Sequence, residues 1–270
     1  MTHMNKVFLT GGSGFVGCNV FERLHKDDVY LYERDEGIAG LLSFEPNVII
    51  HCAGEIYNEG QMFNSNVKLT YNLLEASRLL HNLQAFIYLG SSSEYGRKTE
   101  PMKETDFLDP TNLYEATKGA GSLLCQSYAR TYGVPVMVAR PFSLYGRYEP
   151  QHRFIPTLIK SCKAGWEMKV APGVHDYINI DDFLDAIFML ISDPHPGEIY
   201  NFGSGLQLSN DEVVGVVEEL IGRKIIKLPV EKMHDYDTDT WVADITKAKK
   251  LGWKPKISFW EGIAKLCRHT

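Results

Sequence analysis

The chain has 270 residues, enough for one large α/β domain with a small appendage. Its apolar fraction of 44% is ordinary for a globular protein, and a net charge of −6 with no basic run speaks against a nucleic-acid partner. Five cysteines, an odd number without metal-ligand spacing, read as reduced residues of a cytoplasmic protein that holds no metal, and no apolar run of about 18 residues calls for a membrane span.

Val7-Phe8-Leu9-Thr10 is a short apolar run of the kind a buried parallel strand gives. Gly11, Gly14 and Gly17 follow at spacing three, and apolar residues at Val16, Val20, Phe21 and Leu24 then keep a helical period. Strand, glycine turn and helix form the first unit of a dinucleotide-binding fold. Gly11 allows the turn, Gly14 admits a pyrophosphate, Gly17 lets the helix pack close, and the helix N-terminus faces the phosphates.

Asp28 to Tyr32 reads as a second strand ending at Glu33. A carboxylate there accepts both adenosine ribose hydroxyls and repels a 2′-phosphate, which favours NAD, whereas the neighbouring Arg34 would favour NADP. Pro46 to Cys52 is the next strand. The short interval before it holds one helix, roughly Gly37 to Glu45, and no further strand. Cys52, Ala53 and Gly54 end that strand with the small residues a cofactor groove needs.

A helix is expected from Asn64 to Leu80, then a buried strand Ala85 to Leu89 running into Ser91, Ser92 and Ser93. Serines beyond the carboxyl end of a parallel strand stand where open α/β sheets bind ligands, although a polar turn has the same composition. Tyr114 and Lys118 lie four apart at the start of a helix continuing to about Thr131, so they share a face. An ammonium beside a phenol lowers the phenol pKa towards neutrality, which suits a general acid/base. Further strands are expected at Val134–Ala139 and Glu198–Phe202, and helices from Gln151, over Phe183–Ile191, and from a Ser209-x-x-Glu212 cap to about Ile221.

With TGGSGFVG, VIIHCAG, YLGSSSEYG, DPTNLYEATKGAG, VARPFSLYG, HDYINIDDF, GEIYNFGSG and DITKAKKLGWKP, the chain resembles the extended short-chain dehydrogenase/reductases of the nucleotide-sugar epimerase/dehydratase family over nearly its whole length. LGSS and PTN…Y…K are most similar to the GDP-fucose synthase branch. The resemblance implies a doubly wound Rossmann-type parallel sheet with a small C-terminal substrate domain. The nucleotide-binding domain would be residues 1–142 plus 176–203, and the substrate-binding domain 143–175 plus 204–270. Ser91, Tyr114 and Lys118 match the catalytic positions, Ser92 being the alternative serine. The cofactor site implied is Gly11, Ser13, Gly14, Phe15, Val16, Gly17, Glu33, Arg34, Cys52, Ala53, Gly54, Leu89, Tyr114, Lys118 and Pro141. The substrate side implied is Ser92, Ser93, Ser143, Arg153, Asp176 and Trp241. Here Ser143 stands where most members have Asn, His175 where they have Arg, and Arg153 where the fucose synthase branch has a catalytic His. Arg153 is equally a diphosphate ligand or a surface charge.

The implied chemistry is hydride transfer at C4 of a nucleotide sugar, by a homodimer using NAD, with NADP the alternative. A 4-keto reductase is slightly favoured over a 4-epimerase. A 4,6-dehydratase needs an added acid and base, which relatives carry directly after the catalytic Thr. Counting back from Tyr95 puts Ser92 and Ser93 there, whereas a deletion before Tyr95 would restore Glu94 to that role. Two other classes remain, a non-catalytic dinucleotide sensor and a dehydrogenase for a non-sugar alcohol.

Overall fold

The computed structural model describes residues 6–24, 29–33, 37–228, 230 and 240–269. In chain order the elements begin β1 (Val7–Thr10), α1 (Phe15–Arg23), β2 (Val29–Tyr32), α2 (Ala39–Phe44), β3 (Val48–His51), α3 (Glu59–Met62), α4 (Leu69–Ser77), β4 (Ala85–Leu89), α5 (Leu113–Tyr132) and β5 (Val136–Pro141). They continue with β6 (Ser143–Tyr145), α6 (Phe154–Ala164), β7 (Glu167–Lys169), β8 (Val174–His175), β9 (Tyr177–Asn179), α7 (Ile180–Ser192) and β10 (Ile199–Phe202). Last come β11 (Leu208–Ser209), α8 (Asn210–Ile221), β12 (Ile226–Leu228), α9 (Thr246–Lys250) and α10 (Phe259–His269). A π-helical stretch, Phe63–Lys68, joins α3 to α4, and a 3-10 turn, Ser92–Tyr95, follows β4.

The main sheet has the order β10-β5-β4-β3-β1-β2. β1 pairs in parallel with both β2 and β3, β3 with β4, and β4 with β5. β1, β3, β4 and β5 are buried at every position, as strands covered on both faces must be, which is why they read as unbroken apolar runs. One face sends Phe8, Ile49, Phe86, Tyr88, Val136 and Val138 into a core with Leu41 of α2, Leu73 and Leu74 of α4, and Cys125 and Tyr128 of α5. The chain passes from β2 on one side of β1 to β3 on the other. The carboxyl ends of β1 and β3 therefore form a topological switch point, where open α/β sheets bind ligands.

The boundaries expected from sequence shift modestly. The helix expected from Asn64 begins at Glu59 and carries the π stretch; the strand expected from Val134 begins at Val136 and runs to Pro141; α7 starts at Ile180. Asp28, expected to open the second strand, lies outside the described residues.

The chain forms two compact units, residues 1–96, 104–141 and 184–201, and residues 97–103, 142–183 and 202–270. The second takes in 176–183 because β9 pairs in parallel with β6. It takes in 97–103 because Met102 receives and returns backbone hydrogen bonds with Asp244 and Val242 at 2.8 and 2.9 Å. Its core sets Ile155, Leu158 and Ile159 of α6 against Val213, Val214 and Val217 of α8 and Ile263 of α10. The expected Ser209/Glu212 capping box is present, with Glu212 N–H donating to Ser209 Oγ at 3.2 Å and Ser209 N–H donating to Glu212 Oε2 at 2.7 Å. No described helix is long and apolar enough to cross a membrane, the five cysteines are free, and no cluster among the described residues could hold a metal ion.

Candidate active site

The glycine loop leaves β1 at the switch point. Gly11 takes φ +69°, and a Cβ on it would lie 2.6 Å from Ala53 N. A Cβ on Gly17 would lie 2.0 Å from Gly11 O, so only glycine lets α1 start this close to the loop. Gly14 is different: it is exposed, and its Cβ would meet only Gly11 O, at 3.3 Å. Gly14 is also the N-cap of α1, which has no side-chain cap and no acidic residue in its first turn. The positive end of α1 and the open side of Gly14 fit a pyrophosphate. Ser13 is exposed and Phe15 and Val16 are half-buried around them. Glu33 is exposed just past β2, whose Leu31 would touch a Cβ on Gly12; Arg34 lies outside the described residues.

The loop after β3 is held by a network that sequence reading missed. Thr70 Oγ1 donates its one proton to Asn66 O at 2.8 Å, so it must accept from His51 Nε2 at 2.9 Å. His51 Nδ1 then accepts from Thr10 Oγ1 at 2.7 Å, and Thr10 Oγ1 accepts from Ala53 N–H at 3.1 Å. Burial, helped by Lys118, pushes His51 down to about 3, which matches this neutral tautomer. Asn66, in the π stretch, accepts from Glu55 N–H at 2.7 Å and donates to Glu55 O and Thr117 Oγ1 at 2.9 and 3.0 Å. Cys52, Ala53 and Gly54 are thereby fixed beside the glycine loop. Burial pushes the Cys52 thiol up to about 12, so it stays neutral. His51 sits in an apolar strand and Asn66 and Thr70 among other polar helix residues, and only their three-dimensional pairing gives them meaning.

Ser91 and Ser92 are buried and Ser93 half-buried. Ser91 caps the 3-10 turn: its Oγ accepts from Ser93 N–H at 3.2 Å, and its own N–H donates to Glu94 Oε1 at 2.7 Å. Glu94 Oε2 accepts from Arg140 Nε and a terminal guanidinium nitrogen at 2.9 and 2.8 Å. Both side chains are essentially inaccessible. Glu94 is thus consumed on both oxygens, and the register that makes it a dehydratase acid or base loses its free carboxylate.

α5 opens on an Asn112 cap, its Oδ1 accepting from Glu115 N–H at 3.0 Å. Tyr114 is half-buried and Lys118, one turn on, is buried. A Cβ on Gly121 would lie 2.1 Å from the Tyr88 hydroxyl, so the KGAG run lets α5 press against β4. Lys118 Nζ consequently donates to Leu89 O, lies 4.5 Å from the centre of the Tyr88 ring, and would sit 3.8 Å from a Cβ on Gly54. Burial pushes the Lys118 ammonium down to about 8, opposed by the Glu94 carboxylate. The structure so gathers the glycine loop, Cys52–Gly54, Leu89 and Lys118 around one strand-end region, with Pro141 buried at the end of β5.

Ser143, Arg153, Asp176 and Trp241 belong to the second unit. Asp176, expected on the substrate side, lies between β8 and β9. It is fully buried; Oδ1 accepts from Ser204 N–H and Oγ at 2.6 Å each, and Oδ2 from Gly205 and Ala243 N–H at 3.0 Å each. It is a backbone hub with no lone pair left for a sugar. Trp241 is 8% exposed and its backbone N–H donates to Gln207 Oε1, while half-buried Ser143 donates its backbone N–H to Asp176 O. Arg153 caps α6 and pairs with the buried Glu149 at 3.5 Å. Burial pushes Glu149 up to about 7, a group the sequence did not single out because an acidic residue beside Pro150 reads as a turn.

A Rossmann-type sheet, an uncapped glycine-loop helix and a buried lysine at the switch point define a dinucleotide-binding enzyme of the short-chain dehydrogenase/reductase class. Residues 7–203 match the model of the NAD dependent epimerase/dehydratase family, and the chain belongs to that family. It is therefore an NAD-dependent enzyme of the epimerase/dehydratase type. It is 28% identical to the low-salt glycan biosynthesis protein Agl12 of Haloferax volcanii, over 95% of this chain and 96% of that one. It is 24% identical to a dTDP-glucose 4,6-dehydratase of Haemophilus influenzae, over 96% of each. Among solved structures it shares the fold of Bacillus cereus UDP-glucuronic acid 4-epimerase bound to UDP-glucuronic acid and NAD, at a TM-score of 0.87 and 21% identity over 98% of this chain and 99% of that one. None of these is a GDP-fucose synthase.

Proposed function

We propose that the chain is a nucleotide-sugar 4-epimerase, oxidising the sugar at C4 and reducing it again on the other face. The observation that carries this is the occupied Glu94: with Ser92 and Ser93 beside it, the serine turn supplies no free carboxylate to remove a C5 proton or expel water from C6. What remains is a redox set. Ser91 Oγ accepts from Ser93 N–H, which leaves its own proton to donate to the C4 oxygen. Tyr114 moves the proton at that oxygen, and the nearby Lys118 charge favours its phenolate form. Lys118 spends one N–H on Leu89 O and keeps two for the ribose hydroxyls of the cofactor. NAD, when bound, supplies the hydride acceptor. Glu33 receives the adenosine ribose, Gly11, Ser13, Gly14, Phe15, Val16 and Gly17 the pyrophosphate, and Ser92 and Ser93 serve the nucleotide sugar.

The 4-keto reduction that the sequence alone slightly favours uses the same three side chains. The relatives' names carry epimerases and dehydratases, and an epimerase needs no second substrate to restore its cofactor. The test is incubation of NAD-loaded enzyme with UDP-glucose, UDP-glucuronic acid or dTDP-glucose and no added cofactor. Many turnovers to the 4-epimer, lost in Tyr114→Phe, support the proposal. Turnover only of 4-keto sugars with stoichiometric reduced cofactor selects the reductase, and no turnover with intact NAD binding selects the sensor.

A further inference from the structure

The buried Glu94–Arg140 pair has no part in the redox chemistry itself, yet it sits directly behind it. Lys118 Nζ donates to the carbonyl of Leu89, and Glu94 Oε1 lies 2.7 Å from where a Gly90 Cβ would be. The two charges therefore flank one stretch of backbone, Leu89–Gly90, which admits the carboxylate only because residue 90 has no side chain. Gly90 N–H is tied to Ala139 O at 2.8 Å, next to Arg140 on β5. Arg140 is held in turn: its guanidinium carbon lies 4.7 Å from the centre of the Tyr95 ring, and the Tyr95 hydroxyl donates to Asn201 Oδ1 at 2.8 Å. The serine turn thus hangs on a carboxylate clamped from a neighbouring strand.

We propose that Glu94 is a positioning residue with two separable effects: its Oε1 fixes the Ser91 turn, and its negative charge keeps the buried Lys118 charged. This rests on the redox reading above for its catalytic meaning, but not for its physics. Charged groups facing Lys118 are few. Glu94 favours the ammonium most among them, the Cys52 and Cys125 thiols are held neutral by burial, and His51 is neutral. Arg140 holds Glu94, and its own positive charge offsets part of that effect.

The experiment reads Lys118 itself. Protein labelled with lysine carrying carbon-13 at Cε is titrated by NMR as the NAD-bound enzyme, with Lys118→Met identifying the resonance. Glu94→Gln alone leaves Arg140 buried and unpaired, so the neutral variant is Glu94→Gln/Arg140→Met, which keeps the acceptor for Ser91 N–H and removes both charges. Its Lys118 midpoint is expected to fall measurably, by less than the roughly one unit or more that a single opposite charge at close range is worth, because the Arg140 cation leaves with the carboxylate. Glu94→Asp keeps the charge and withdraws the oxygen from Ser91; its midpoint is expected to stay near wild type while kcat drops more than KM changes. A midpoint unmoved in the double variant overturns the electrostatic effect, and an Asp variant with wild-type kcat overturns the positioning effect. A midpoint that moves as expected in a protein without C4 epimerase or reductase activity upholds the Glu94–Lys118 coupling and refutes only the assigned function.

Discussion

Gly14→Ala and Gly17→Ala, three residues apart in one loop, should fail in different ways. A Cβ on Gly17 would sit 2.0 Å from Gly11 O and 2.7 Å from Gly11 C, both backbone atoms of a residue already held at φ +69°. Relief needs a backbone shift of about an ångström, and overpacking of this kind costs about 1–3 kcal/mol, occasionally more. For a chain of this size that is a fall of several degrees in Tm, about 2–4 °C per kcal/mol. A Cβ on Gly14 meets only Gly11 O at 3.3 Å, so the fold should hold within about 1 kcal/mol. The methyl group instead occupies the exposed face above the α1 N-terminus, where the pyrophosphate must approach. Thermal unfolding of both variants, with calorimetric NAD titration, separates the effects. Gly17→Ala should lose stability with or without NAD, and Gly14→Ala should lose affinity about tenfold or more with an unchanged apo Tm. Equal NAD affinity in Gly14→Ala would refute the placement of the pyrophosphate, and an unshifted Tm in Gly17→Ala would refute the packing argument.

Tyr114→Phe should keep fold and NAD binding while turnover falls about 10²–10⁴-fold, as loss of a general acid/base does; steady-state kinetics within threefold of wild type would remove its role. Glu149 is pushed up to about 7 in the fold against about 4.5 unfolded, so its contribution is fully present below the unfolded value and lost as pH rises through 7. Glu149→Gln should therefore gain on wild type between pH 5 and pH 8, by at most about 3 kcal/mol; urea unfolding at the two pH values checks it, and a constant difference contradicts it. Glu33 at the end of β2 should give a preference for NAD over NADP of at least about tenfold, narrowed in Glu33→Ala, and competitive binding of the two cofactors measures it.

The fold was legible in the sequence where burial is two-sided. Ala85–Leu89 and Val48–His51 lie in unbroken apolar runs because both faces are covered, and the strand–glycine–helix opening fixes the switch point. That Tyr114 and Lys118 stand one turn apart on a helix was legible because four residues is one helical turn. Glu94 was not, since a carboxylate next to Tyr95 reads either as acid/base or as turn, and only Arg140, 46 residues away in sequence, decides between them. The bonding of Asp176 was not legible for the same reason: its partners Ser204, Gly205 and Ala243 come from distant segments. The His51–Thr10–Thr70 network left no pattern at all, because its spacing is set by the sheet.

The central claim is that C4 redox proceeds here without elimination. Dehydration would remove the C5 proton to a carboxylate and replace it from solvent, with loss of water from C6. Epimerisation moves only a hydride through the cofactor and returns it to the same carbon. NAD-loaded enzyme incubated with a nucleotide hexose in deuterium oxide distinguishes them when the products are separated chromatographically from the substrate and weighed by mass spectrometry, once exchangeable positions are back-exchanged to protium. The account predicts a 4-epimer of unchanged mass with no carbon-bound deuterium. A product lighter by one water and carrying deuterium at C5 would contradict it.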